Sequence, residues 1–163
     1  MNIIWLGHGG FRIEIGDQIL LIDPWLEGNP MMEGQDHSAA TQGATHILIT
    51  HGHFDHTGGL VELSKSLNVP VSGIVELANL LFGQGAVEGH AYNLGGAIAL
   101  GTVKAHLVPA SHSSTIPGNW LRPRTPPKAV PRQLRPVTSW KGRVPISCPA
   151  PATPMMMLSP QPL

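Results

Sequence analysis

The sequence predicts an α/β (α+β) domain over residues 1–116, followed by a Pro-rich tail without regular structure over residues 117–163. Three observations carry that division. Short apolar segments in the first part end at glycines; strands give way to strand–helix units and then to strands again, the order of a layered domain; and the composition changes near residue 116. Residues 1–116 hold all ten acidic residues, all nine histidines and three Lys/Arg, whereas residues 117–163 hold seven Lys/Arg, twelve of the sixteen prolines and no acid or histidine. The formal net charge of +0 is thus the sum of about −7 and about +7, a split that matters more than the total.

Each element follows from its local pattern. Asn2–Leu6 is an apolar run closed by Gly7, Gly9 and Gly10. Phe11–Ile15 alternates apolar and polar residues, the period of a half-buried strand, and Gln18–Ile22 is its apolar partner across a Gly16-Asp17 turn, which predicts a hairpin. A Gly-, Pro- and Asp-containing loop spans Trp25 to about Gly43. His46–Thr50 is a strand that runs into His51-Gly52-His53-Phe54-Asp55-His56. Leu60, Leu63, Ser64 and Leu67 recur at helical spacing, with a helix end at Asn68-Val69-Pro70. Val71–Ile74 reads as a strand and Glu76–Phe82 as a second helix closed by Gly83. Ala97–Leu100 and Val103–Pro109 form another antiparallel pair turning at Gly101-Thr102. There is no internal repeat.

Several function classes recede on composition. A single cysteine, Cys148, excludes an intrachain disulfide framework. No apolar run approaches the roughly 18 residues of a membrane span, and the N-terminus lacks the basic region of a signal peptide. The expectation is a soluble, cytoplasmic protein.

His51, His53, Asp55 and His56 are the main chemical signal: four ligand-type side chains within six residues. The strand holds the loop at one end and a helix starting near Thr57 holds it at the other. His51 and His53 can point the same way if strand geometry persists, since side chains two apart share a face. Asp55 and His56 then face elsewhere and could serve a second metal. Imidazole plus carboxylate suits zinc first, with manganese or iron also compatible, over calcium or magnesium. The plainer alternative, histidines that cap a helix and meet solvent, suits one such residue and not this cluster.

Thr50–Gly59, THGHFDHTGG, resembles the H-x-H-x-D-H signature of the metallo-β-lactamase superfamily. Leu6-Gly7-His8 with Phe11, Leu21-Ile22-Asp23-Pro24 with Gly28-Asn29-Pro30, Glu76-Leu77-Ala78-Asn79, Asn93-Leu94-Gly95-Gly96 and Pro109-Ala110-Ser111-His112-Ser113-Ser114 follow in the expected order. Together, residues 1 to about 116 resemble the small bacterial metal-dependent hydrolases related to L-ascorbate-6-phosphate lactonase. The resemblance implies the N-terminal part of an αββα sandwich. His51, His53 and His112 would hold a first metal, with Asp55 and His56 on a second. Asp23 would orient the ligand loop by hydrogen bonds, and His8 would lie beside the cavity, touching substrate or a water there. A metal-activated water would attack an ester, lactone, amide or phosphodiester of a small-molecule substrate, with Asp55 as the catalytic proton carrier. His37, His46, His90 and His106 read as packed or surface residues.

The pattern breaks in the second half. The family's Gly-Asp-Thr aspartate and late histidine have no counterpart, because no Asp or His follows His112. The second metal would keep two ligands, and the second sheet and its helix would be largely missing, so activity is expected to be impaired. The tail has three readings: a polyproline interaction segment, a basic nucleic-acid arm, or the family's own gene read out of frame. The last is favoured over a nucleic-acid partner, since Pro151–Met155 can encode Gly-Asp-Thr-Asp in a shifted frame. Competing functions are therefore a hydrolase, an inactive metal-binding fragment and a basic Pro-rich interaction protein. An incomplete sandwich also predicts self-association through exposed sheet surface.

Overall fold

Adjacent residues on a strand face opposite sides of a sheet, and this chain uses both sides. Leu20 and Leu48 enter one apolar cluster while Leu21, Ile47 and Ile49 enter another. All five are completely buried, each contributing about 1.5–3 kcal/mol by leaving water. The central sheet is therefore covered on both faces. The computed structural model describes residues 1–114 and 153–160, the latter as backbone with the side chains of Met156 and Leu158.

Six strands build that sheet: β1 (Asn2–Trp5), β2 (Phe11–Ile15), β3 (Gln18–Ile22), β4 (His46–Ile49), β5 (Val71–Ile74) and β6 (Glu88–Tyr92), in the order β1-β2-β3-β4-β5-β6. The first three pair antiparallel, and β3 to β6 run parallel. The β2–β3 turn has Gly16 at φ 61°, the positive value that a two-residue hairpin needs at its first central position. Helices α1 (His37–Thr41), α2 (Phe54–Thr57), α3 (Leu60–Leu67) and α4 (Val75–Gly83) complete the described helical set, with one 3-10 turn at Pro30–Met32. Leu60, Val61, Leu77 and Leu81 from α3 and α4 cover one sheet face together with Leu21, Ile47 and Ile49.

On the other face lies a three-stranded sheet of β7 (Ala97–Leu100), β8 (Val103–Ala110) and β9 (Thr153–Pro160), all antiparallel. Ile98, Leu100, Val103, Ala105 and Leu107 pack there against Leu20 and Leu48. Asp17 ties the sheets at one end, its Oδ1 accepting from the Thr102 hydroxyl at 2.8 Å. The described residues thus form three layers: helices, large sheet, small sheet.

The predicted strands and both longer helices stand within a residue or two of their sequence positions. Besides the start of α2, three elements differ. The tail read as irregular contributes β9, where Met156 and Leu158 pack on the second cluster. Pro154 and Pro160 sit near its ends, opposite Pro109 and Val103, and an edge strand accepts proline because one row of its backbone groups has no partner to satisfy. Residues 117–152, and the readings placed on them, lie outside the described residues. His90, read as a loop residue, lies in β6, and the Trp25–Gly43 loop contains α1, capped by the Asp36 carboxylate on the Ser38 and Ala39 amides. Among the described residues no helix is long and apolar enough to cross a membrane. The edge strand β1 leaves Ile3, Ile4 and Trp5 exposed.

Candidate metal centre

The parallel arrangement decides where the ligands meet. β1, β3 and β4 share a direction, so the segments that follow them, Leu6–Gly10, Asp23–Pro24 and Thr50–His53, emerge at one end of the sheet, where open α/β sheets place their ligands. The chain leaving β8 brings His112 and Ser114 to the same end, and the Ser114 hydroxyl accepts from the Gly52 amide at 3.1 Å.

Three imidazoles converge there. One ring nitrogen from each of His51, His53 and His112 lies within 4.8 Å of the others. His51 Nε2 and His53 Nδ1 stand 2.9 Å apart, and the His112 ring centroid is 4.7 Å from that of His51 and 5.1 Å from that of His53. Two ring lone pairs at 2.9 Å repel unless a proton or a cation lies between them. Burial, reinforced by the neighbouring His56, pulls the His51 imidazole down to about 4, so it is neutral near pH 7 and keeps a lone pair to donate. Three converging imidazoles form a donor set that fits a divalent ion such as zinc.

Asp55 turns toward His8, whereas the His56 ring lies directly beside His51, with 4.1 Å between centroids. Ligand atoms of Asp23, His51 and His56 also fall within 4.8 Å of one another. The helix that carries Asp55 and His56 starts earlier than expected. It begins at Phe54, with His53 as its N-cap, so Asp55 and His56 lie in a helical turn rather than ahead of it. His56 is held from behind by a 2.8 Å contact between its Nδ1 and Asp23 Oδ2. Burial opposes charge on His56, yet the hydrogen bond to Asp23 and the carboxylates of Asp23 and Asp55 keep it above its ordinary value. Asp23 is only 3% exposed; it also accepts from the Thr50 amide at 2.7 Å and the Thr50 hydroxyl at 2.5 Å. The expected orienting aspartate therefore binds both the end of β4 and a ligand-type histidine.

His8 lies nearer to this chemistry than its sequence position suggests. Its Nε2 is 2.8 Å from Asp55 Oδ2, and its ring meets His56 edge-on at 5.2 Å between centroids. Both His8 and Asp23 have left-handed backbones, with φ of 48° and 45°. Such a conformation costs of the order of 1–3 kcal/mol in a non-glycine residue, more than the about 0.2–1 kcal/mol that an exposed ion pair returns. Stability alone does not account for His8. The sequence held a signal in the glycines around it. Trp25, Asn29 and Thr50 were not singled out for the site, yet Asn29 donates to the Leu6 and Trp25 carbonyls and Trp25 stacks edge-on against His8 and Phe54. His37, His46, His90 and His106 are absent from these groups.

A family model described as the metallo-beta-lactamase superfamily matches residues 11–143. A UPF0173 metal-dependent hydrolase of Roseobacter denitrificans is 59% identical over 115 residues, covering 71% of this chain and 50% of the relative. One from Paracoccus denitrificans is 50% identical over 119 residues, covering 73% and 52%. The chain spans about half the length of the curated relatives it matches. Among solved structures, the metallo hydrolase Igni18 of Ignicoccus hospitalis superposes with a TM-score of 0.58 at 25% identity, over 69% of this chain and 49% of that one. BJP-1, a subclass B3 metallo-beta-lactamase of Bradyrhizobium japonicum, shares the fold with a TM-score of 0.55 at 24% identity, over 69% and 50%.

Proposed function

This chain belongs to the metallo-beta-lactamase superfamily, and on that premise we propose that it is built for metal-dependent hydrolysis of an ester, lactone or phosphodiester in a small-molecule substrate. The observation that carries the reading is the convergence of His51, His53 and His112 nitrogens within 4.8 Å. Zinc fits this imidazole set best. When bound there, the ion supplies Lewis acidity, polarising a carbonyl or phosphoryl oxygen and lowering the pKa of a water to near 7. Asp55 orients the attacking water, takes its proton on a carboxylate oxygen and returns that proton to the leaving group. Asp23 holds His56, so the Asp55–His56 turn keeps its aim. Phe54, 69% exposed, and Trp25 form an aromatic wall beside the site.

A second reading, metal binding without turnover, is favoured by one observation: residues 113–163 hold no Asp or His. The zinc-loaded full chain is assayed on a p-nitrophenyl ester, a γ-lactone and bis(p-nitrophenyl) phosphate, with a chelator and His53→Ala as controls. Chelator-sensitive turnover of at least one substrate, lost in His53→Ala, supports the hydrolase. Zinc uptake with no turnover on any supports the second reading, and absence of zinc uptake overturns both.

A further inference from the structure

We propose that His8 is the third protein ligand of a second metal position, joining Asp55 and His56 there. The inference rests on the metal-centre reading above and extends it. Ligand atoms of His8, Asp55 and His56 all lie within 4.8 Å of one another. Zinc bonds of about 2.0–2.1 Å imply tetrahedral edges of about 3.3 Å, within reach of small side-chain rotations from that arrangement. His8 Nε2 and Asp55 Oδ2, at 2.8 Å, meet as His51 Nε2 and His53 Nδ1 do at 2.9 Å. In both places two donor atoms meet at a separation that a cation bound between them would bridge.

The surrounding residues aim all three. With its Nδ1 engaged by Asp23 Oδ2, His56 keeps Nε2 as the nitrogen free to ligate. The His8 backbone is gripped from both sides: Trp5 Nε1 donates to its carbonyl at 2.8 Å, and its amide contacts Met31 Sδ at 3.4 Å. Gly9 closes the approach, because a Cβ there would come to 2.5 Å from His56 Cε1. A surface ion pair between His8 and Asp55, 45% and 28% exposed, needs neither His56 nor a left-handed backbone. A carboxylate and two imidazoles with a remaining open direction form the donor set of a zinc, manganese or iron site. They also supply a third donor to a position for which the H-x-H-x-D-H segment provides two.

The test counts ions. The full chain is dialysed against zinc at pH 7.5, and metal per chain is measured for the wild type, His8→Gly, His8→Asn and His53→Ala. Glycine and asparagine both accept the φ of 48°, and circular dichroism checks that each variant folds. We expect two ions on the wild type and one on each His8 variant, the weaker position losing at least tenfold in affinity while the stronger is unchanged. In His53→Ala the other position is the one lost. Two ions at wild-type affinity in both His8 variants overturn the proposal. So does retention in His8→Asn alone, which marks His8 as a positioning residue acting through Asp55. A wild-type chain that takes up one ion overturns the second position and leaves the metal-centre reading standing, whereas no uptake at all removes both.

Discussion

Replacing Asp23 with asparagine tests how far one buried carboxylate organises the site. The side chain keeps its shape and tolerates the left-handed backbone, so the perturbation is electrostatic. Three groups now bond the carboxylate: the Thr50 amide, the Thr50 hydroxyl and His56 Nδ1. Hydrogen bonds to charged groups contribute about 1.5–3 kcal/mol each against about 0.5–1.5 kcal/mol for neutral ones. The carboxamide oxygen can still accept from the Thr50 amide, and its NH2 can donate to the Thr50 hydroxyl. The net loss is then about 2–3 kcal/mol, a large share of a typical domain's stability. The consequence for chemistry is larger. An amide NH2 facing His56 Nδ1 requires a lone pair there, which moves the imidazole proton to Nε2 and removes the nitrogen that faces Asp55 and His8. Metal affinity at that position should fall 10–100-fold, the range for lost supporting hydrogen bonds. Urea unfolding reads the first effect, nitrogen-15 shifts of the His56 ring read the tautomer, and zinc competition reads the third. An Asn variant with unchanged unfolding midpoint, an Nδ1-protonated His56 and wild-type zinc affinity would refute the reasoning.

Other substitutions probe independent parts. Leu48→Ala, at a completely buried position between the sheets, should cost about 2–5 kcal/mol, read as a lower urea midpoint with little change in slope. Gly9→Ala drives a methyl group into His56 Cε1 and should weaken metal uptake at the Asp55–His56 position while leaving the His51–His53–His112 position intact, as measured by metal counts. Tyr92 is the one tyrosine in the chain, and burial pushes its phenol up to about 12 from 10. Its neutral form favours the fold, so this contribution is complete below pH 10 and lost as pH rises toward 12; ultraviolet titration of the folded and urea-unfolded chain should show the two midpoints apart. Ile3→Lys places a charge on the exposed edge strand β1 and should reduce concentration-dependent association in sedimentation velocity.

Much of this was legible in the sequence, and the reasons differ by residue. Leu20–Leu21 and Ile47–Ile49 announce a sheet buried on both faces because neighbouring apolar residues can only be buried together if both sides are covered. His51, His53, Asp55 and His56 announce a metal site by spacing, and the structure brings His112 to them from 56 residues beyond His56. Strand β6 was missed because Glu88-Gly89-His90-Ala91 carries no apolar alternation; as an edge strand it buries only Tyr92, so little hydrophobic signal is demanded of it. Strand β9 was hidden by its prolines, tolerated at the ends of an edge strand. The roles of Asp23 and His8 at His56 rest on backbone dihedrals and contacts across the chain, which no local pattern encodes. Arg12 occupies a polar position of the alternating strand Phe11–Ile15, yet it is buried and its guanidinium donates to the Ala40 and Gln42 carbonyls.

The ligand-type residues come from four segments, after β1, β3, β4 and β8, so the site exists only when both sheets have assembled. An ion that binds the assembled chain and not the unfolded one adds RT ln(1 + [L]/Kd), about 2.7 kcal/mol at a hundredfold excess over Kd. Zinc would thus act as a clasp between the layers, and free metal concentration becomes a variable of folding itself. Starved of metal, the chain would lose the ion's share of the tie between the His112 segment and His51 and His53. Thermal melting of this protein should accordingly be a curve in two dimensions, temperature and zinc activity, and no single midpoint describes it.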